Sequence, residues 1–178
     1  MVSDERLRLF CALRLPPEVV ERIVAWQLAH LPSGRIVPPE NLHVTLAFLG
    51  HRPAEETGAV VSALREAAAG AGGIVLRARG YRETRSVAML MLDDEGSRAG
   101  ALAAGLQGLL EAAGVYRREE REWLPHLTVL RFRDRPRLRP PLPELGEVSP
   151  SDAAVFISRL GPGGARYEVL ETVALGGR

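Results

Sequence analysis

Two of the four histidines sit in the same local frame: His43-Val44-Thr45-Leu46 and His126-Leu127-Thr128-Val129 both read His, apolar, Thr, apolar. Thr is scarce, at five residues in the chain. At ordinary composition such a double match is on the order of one accident in several thousand. Both motifs lie in runs that alternate like strands, and a period of two fixes which residues share a face. His43 then stands beside Thr45, opposite Leu42, Val44, Leu46 and Phe48, and His126 beside Thr128, opposite Leu127 and Val129. Two such strands facing each other across a cleft would bring together two imidazoles and two hydroxyls. That set suits acid–base chemistry at a phosphate. An imidazole titrates near pH ~6.5, so at neutral pH one ring can accept a proton while the other gives one. Thr hydroxyls can donate to non-bridging oxygens and hold the phosphorus between the rings.

Other chemistries find less support. No Cys or carboxylate stands at ligand spacing near either histidine, so no metal is expected. There is no phosphate-cradling Gly-rich loop, no nucleophile elbow and no paired nucleophilic Cys.

Several single residues are weighed against packing. Arg131, five positions after His126, would neutralise charge building up on a phosphate. On an unbroken strand it points away from His126, so a bulge or the strand's end must re-aim it. Arg131, Arg133, Arg135, Arg137 and Arg139 alternate, a basic stripe that an extended segment could lay along RNA. The prolines in this stretch favour a solvated loop instead. Phe48 could stack on a base, but its parity is that of the core, so packing is expected. Trp26 reads as core or rim, Trp123 precedes the second motif and could border the groove but is assigned no role, and His30 and His51 read as surface residues. Cys11, in Leu9-Phe10-Cys11-Ala12-Leu13, reads as a buried structural thiol.

The elements that must position the motifs follow from periodicity and punctuation. Arg6 to Leu15 alternates as a half-buried strand, and Pro16-Pro17-Glu18 opens a helix that ends at Pro32-Ser33-Gly34. A strand over Leu42–Leu49 stops at Gly50, and a helix covers Pro53–Ala69. Strands over Ile74–Tyr81 and Ser86–Leu92, a helix over Glu95–Ala113 and a strand over Leu124–Arg133 come next. A hairpin of Ala153–Leu160 with Arg166–Leu175 closes the chain. This order predicts an α+β fold with mostly antiparallel sheets.

With 178 residues, 46% of them hydrophobic and 25% charged, the chain suits one compact unit, residues 1–178. Apolar stretches break well before ~18 residues, and Met1 to Arg14 is too charged for a signal peptide, so no membrane role or export is expected. One cysteine fits a cytoplasmic setting. A net charge of +1 excludes a DNA-coating protein. All 23 basic residues are Arg, which GC-rich coding, with selection for heat tolerance, accounts for more readily than phosphate binding does.

The sequence resembles the two-histidine (2H) phosphoesterases, specifically the RNA 2′,3′-cyclic phosphodiesterases also called 2′-5′ RNA ligase-like or LigT-like proteins. The likeness runs over nearly the whole chain. It takes in Arg6-Leu7-Arg8-Leu9-Phe10 with Leu15-Pro16-Pro17-Glu18, the stretch from Pro39 to Gly50, the stretch from Pro125 to Arg131, and Ser158 to Tyr167. It implies a bilobal, pseudo-two-fold arrangement of two sheets with helices outside and a groove between. It also implies metal-independent, cofactor-free opening of 2′,3′-cyclic phosphates on RNA ends or small cyclic nucleotides to leave 2′-phosphates. In that pattern His43 is the proton donor, His126 the acceptor that activates water, and Thr45, Thr128 and Arg131 hold the phosphate. A monomer with no obligate protein partner is expected. ATP-independent 2′-5′ ligation in the same groove, or binding of cyclic-phosphate ends without turnover, are the rival expectations.

Overall fold

A computed structural model describes residues 4–32 and 34–177. Ser33 of the expected Pro32–Gly34 turn, and the first three residues of the charged Met1 to Arg14 segment, lie outside the described residues. The strands are β1 (Arg6–Arg14), β2 (Arg35–Ile36), β3 (His43–Pro53), β4 (Leu76–Glu83), β5 (Val87–Asp94), β6 (His126–Arg131), β7 (Asp152–Gly161) and β8 (Gly164–Ala174). The helices are α1 (Pro17–His30), α2 (Thr57–Ala69) and α3 (Arg98–Ala112). Two antiparallel four-stranded sheets result, ordered β3-β1-β7-β8 and β2-β6-β5-β4. The expected α+β, two-sheet fold is the one observed.

The helices cross between the sheets. α1 leads from β1 of the first sheet to β2 of the second, and its buried Gln27 donates to the carbonyls of Val37, just past β2, and of Val129 in β6. α3 lies between β5 and β6 of the second sheet, yet packs on β3 and α2, while α2 covers β7 and β8. One continuous apolar core therefore runs under both sheets, from Leu9 and Leu46 to Leu90 and Leu127. Among the described residues no helix is long and apolar enough to cross a membrane.

β1 departs from the half-buried expectation. Leu9, Cys11 and Leu13 face the main core as their parity predicts, but Phe10 and Ala12 are buried too, in a second cluster with Ala154 and Phe156. The cause is a layer of rings over the second face, where Phe10 lies against His43, Phe156 and Tyr167. Cys11 is buried as expected, which pushes its thiol up to about 12. Gly50 does not end β3. It takes φ +71° and stays in the ladder opposite Leu9, and pairing continues to Pro53. Glycine adopts that left-handed conformation without a Cβ clash. The helix expected from Pro53 consequently starts at Thr57, after a 3-10 turn over Ala54–Glu56. The two-residue β2 is too short for any period to reveal.

Candidate active site

The two motif strands meet across the groove. β3 is an edge of the first sheet, β6 is shielded only by the short β2, and the two strands approach each other with Cα atoms within 8 Å. Alternation holds at the start of each motif. Val44 and Leu46, and Leu127 and Val129, are buried behind, while His43, Thr45, His126 and Thr128 are half-buried on the groove side.

Then the alternation breaks, at the same place in both strands. Against β1, Thr45 pairs with Ala12 and Ala47 with Cys11, leaving Leu46 as an extra residue. Against β5, Thr128 pairs with Met89 and Leu130 with Ala88, leaving Val129 as the extra one. A bulge of one residue shifts every later side chain to the other face. Arg131 is thereby brought round to line the cavity with Thr128, which meets the condition its parity imposed. Phe48 is turned the same way, and here the expectation of packing is corrected. Phe48 is 44% exposed, lines the groove and carries the Arg8 guanidinium 4.7 Å from its ring centroid.

Both imidazoles are held alike. His43 Nδ1 lies 2.8 Å from the carbonyl of Asn41 and His126 Nδ1 2.9 Å from that of Leu124, in each case two residues upstream. A carbonyl only accepts, so Nδ1 carries the proton and Nε2 is the nitrogen able to accept one. His43 Nε2 then accepts from the Thr45 hydroxyl at 2.9 Å. His126 Nε2 has no protein partner among the described residues.

The His43 ring lies on an aromatic bed, with centroids 4.9 Å from Phe10, 5.4 Å from Tyr167 and 6.2 Å from Phe156. Burial there lowers its pKa from 6.5 to about 4. The Asn41 carbonyl pulls the other way, while His126 and Arg131 add repulsion. His43 is thus a neutral ring at pH 7.

Five sequence-predicted residues fall into two adjoining cavities. His43, Thr45, Thr128 and Arg131 line one of about 350 Å³, beside Arg8 and Tyr167. His126 lines the other, of about 600 Å³, and Thr45 and Phe48 form the wall between them. His126 is therefore across that wall from His43, near enough for its charge to lower the His43 pKa. Among the described residues no three His, Cys, Asp or Glu side chains gather as a metal would need.

Three contributors escaped the sequence. Gln107 of α3 donates to the Leu46 carbonyl at 2.9 Å, and Gln27 of α1 donates to the Val129 carbonyl at 2.9 Å. Leu46 and Val129 are the extra residues of the two bulges, so each helix braces the bulge that aims its strand. The available signal was an amide on an apolar helical stripe, Gln27 four after Ile23 and Gln107 four after Ala103. Trp123, left without a role, donates Nε1–H to the Thr45 carbonyl at 3.0 Å and borders the His126 cavity.

Two antiparallel sheets, each lending a His-x-Thr strand to one groove, define a two-histidine phosphoesterase. The family described as LigT like Phosphoesterase matches residues 13–83. The chain is 31% identical to the RNA 2′,3′-cyclic phosphodiesterase of Escherichia coli (strain K12), covering 97% of this chain and 98% of that protein. It is 35% identical to the protein of that name from Thermus thermophilus, covering 96% of this chain and 91% of that protein. The crystal structure of E. coli LigT complexed with 3′-AMP superposes with a TM-score of 0.79 at 29% identity, covering 96% of this chain and 99% of that one. The chain belongs to the LigT-like phosphoesterase family.

Proposed function

We propose that this chain hydrolyses 2′,3′-cyclic phosphates, on RNA ends or single nucleotides, to 2′-phosphates in the groove between β3 and β6. The observation that carries the reading is the matched pair of imidazoles, each with Nδ1–H fixed on a backbone carbonyl, with His126 Nε2 unpartnered among the described residues and His43 Nε2 bonded only to the Thr45 hydroxyl. A binding module needs cationic and hydroxyl donors but not two oriented titrating rings. The names and the nucleotide complex of the relatives agree with it.

In the reaction His126 Nε2 takes a proton from water as the water oxygen bonds to phosphorus. The bond from phosphorus to the 3′ oxygen breaks, that oxygen takes the proton of His43, and the 2′ oxygen stays on phosphorus. Thr45 and Thr128 donate to the non-bridging oxygens, and Arg131 balances the charge that builds there. His43 reaches its acid form when the substrate anion offsets the burial that keeps the empty site's ring neutral. The division of roles between the rings rests on the family pattern, since both hold Nδ1 on a backbone carbonyl in the same way. No metal enters this scheme. The core shared by both sheets supports treating residues 1–178 as one bilobal domain.

The test is to give the purified protein an oligonucleotide ending in a 2′,3′-cyclic phosphate and a cyclic mononucleotide, with excess EDTA. A 2′-phosphate product supports the reading. A 3′-phosphate product, no turnover, or turnover abolished by EDTA overturns it.

A further inference from the structure

We infer that the RNA chain leading to the cyclic-phosphate end leaves the groove across β6, β5 and β4 and is held by a separate cavity lined by Arg82, Arg135, Arg137 and Arg139. This rests on the proposed function and adds a second binding site to it.

The cavity, about 400 Å³, sets four guanidiniums against one carboxylate, Glu83, in a chain whose net charge is only +1. Glu83 is already committed. Its side chain is 2% exposed and accepts from the Tyr81 hydroxyl, the backbone N–H groups of Arg137 and Leu138, and the Arg135 guanidinium. Among the described residues the guanidiniums of Arg82, Arg137 and Arg139 have no ion pair or hydrogen bond. Farther along β4 the arginines are paired, Arg77 with Glu147 at 2.6 Å and Arg79 with Asp93 at 3.6 Å. Positive charge without protein partners is therefore concentrated at one end of the sheet.

The loop bearing it is built rather than loose. Glu83 straps residues 135–138 to β4, and Arg137 holds a left-handed φ of +56° within that strap. Such a conformation costs a non-glycine residue energy unless its surroundings fix it. The basic segment is thus neither the regular strand of an alternating stripe nor a free loop.

Its position links it to the phosphate site. Arg82 pairs with Met89, and Met89 with Thr128, so the three stand in one row across the sheet. At a strand spacing of about 4.8 Å, Arg82 stands about 10 Å from the proposed phosphate clamp. Arg82 also lines the His126 cavity, where Met89 and Met91 offer an apolar floor for bases between two anion sites. A polyanion that begins at Thr128 and continues past Arg82 is a nucleic-acid strand.

The experiment compares wild type with Arg137→Gln/Arg139→Gln, whose guanidiniums are exposed, have no protein partner among the described residues and line only the separate cavity. An RNA of about eight nucleotides, 5′-labelled and ending in a 3′-phosphate, is titrated by anisotropy over a range of salt concentrations. The double variant should bind it about tenfold more weakly, with a log Kd against log salt slope reduced by about 1.4, some 0.7 per lost phosphate contact. The kcat and KM for a 2′,3′-cyclic mononucleotide should not change. Unchanged RNA affinity and salt slope would overturn the inference, as would an equal loss of affinity for the mononucleotide. Failure of the proposed function appears separately, as wild-type protein that does not turn over the mononucleotide, and the binding arm is still read in that case.

Discussion

Phe48 and Arg131 occupy equivalent positions, each five residues after the histidine of its motif and each turned into the groove by a bulge at the residue following the motif threonine. The two halves repeat a backbone device but place different chemistry on it, an aromatic ring from one strand and a guanidinium from the other.

The pair should therefore separate kinetically. Arg131→Gln should lower kcat by about a hundredfold, because its charge matters most where negative charge accumulates. Phe48→Ala should mainly raise KM, by roughly tenfold, through the loss of a stacking surface. Steady-state kinetics on a cyclic mononucleotide reads both, and equal effects on kcat and KM from the two variants would deny them distinct roles.

The braces behind the bulges should matter without touching substrate. Gln27→Met leaves the Val129 carbonyl, and Gln107→Met the Leu46 carbonyl, without its side-chain donor. Either change should cost about 1–3 kcal/mol in urea unfolding. Gln27→Met should also lower kcat, through Arg131, while Gln107→Met should raise KM, through Phe48. A stability loss with unaltered kinetics would make the glutamines purely structural.

Much of this site was legible in the sequence, because a period of two is stiff. His43, Thr45, His126 and Thr128 needed only alternation to be placed on the groove face. What lay beyond Leu46 and Val129 was not legible, since a bulge is an inserted residue in a pairing register and a single strand carries no record of its partner. Parity alone therefore misplaced Phe48, and left Arg131 waiting on a bulge that the pairing with β5 supplies. Gln27 and Gln107 were hidden for a related reason: each braces a strand far off in the chain, Gln27 one 102 residues on and Gln107 one 61 residues back. The second buried face of β1 likewise depends on β7 and Tyr167, both more than a hundred residues away.

The pH dependence follows from the aromatic bed. The free-enzyme profile of kcat/KM should have its acid limb near pH 4, the value to which burial lowers His43, rather than near the ordinary ~6.5. The limb falls there whether His43 gives or accepts the proton, because activity requires one protonated and one neutral ring. Phe10→Leu, which thins the bed, should move the limb upward. A limb that stays near 6.5 in the wild type would contradict the burial argument.

Glu83 makes a prediction about stability. Burial alone would raise its pKa, but the N–H of Leu138, the Tyr81 hydroxyl, the N–H of Arg137 and the Arg135 guanidinium more than offset this and hold it below the usual range. Its contribution should thus be full above the unfolded carboxylate's pKa, about 4.3, and fade as pH falls through the lower folded value. Glu83→Gln should cost about 2 kcal/mol at pH 7, with wild type and variant converging in acid. Urea midpoints measured from pH 7 down to 3 check this, and a constant difference would contradict it.

Imidazoles from two different sheets must act on one phosphorus for any of this chemistry to work. The deciding experiment is the turnover of a 2′,3′-cyclic mononucleotide in excess EDTA by wild type, His43→Ala, His126→Ala and the double variant, with affinity for a nucleotide phosphate followed in parallel. Each single variant should lose about a thousandfold in kcat while still binding, and the double should be little worse than either, as for groups that act as a unit. Turnover within about tenfold of wild type after removal of either ring would contradict the two-imidazole mechanism.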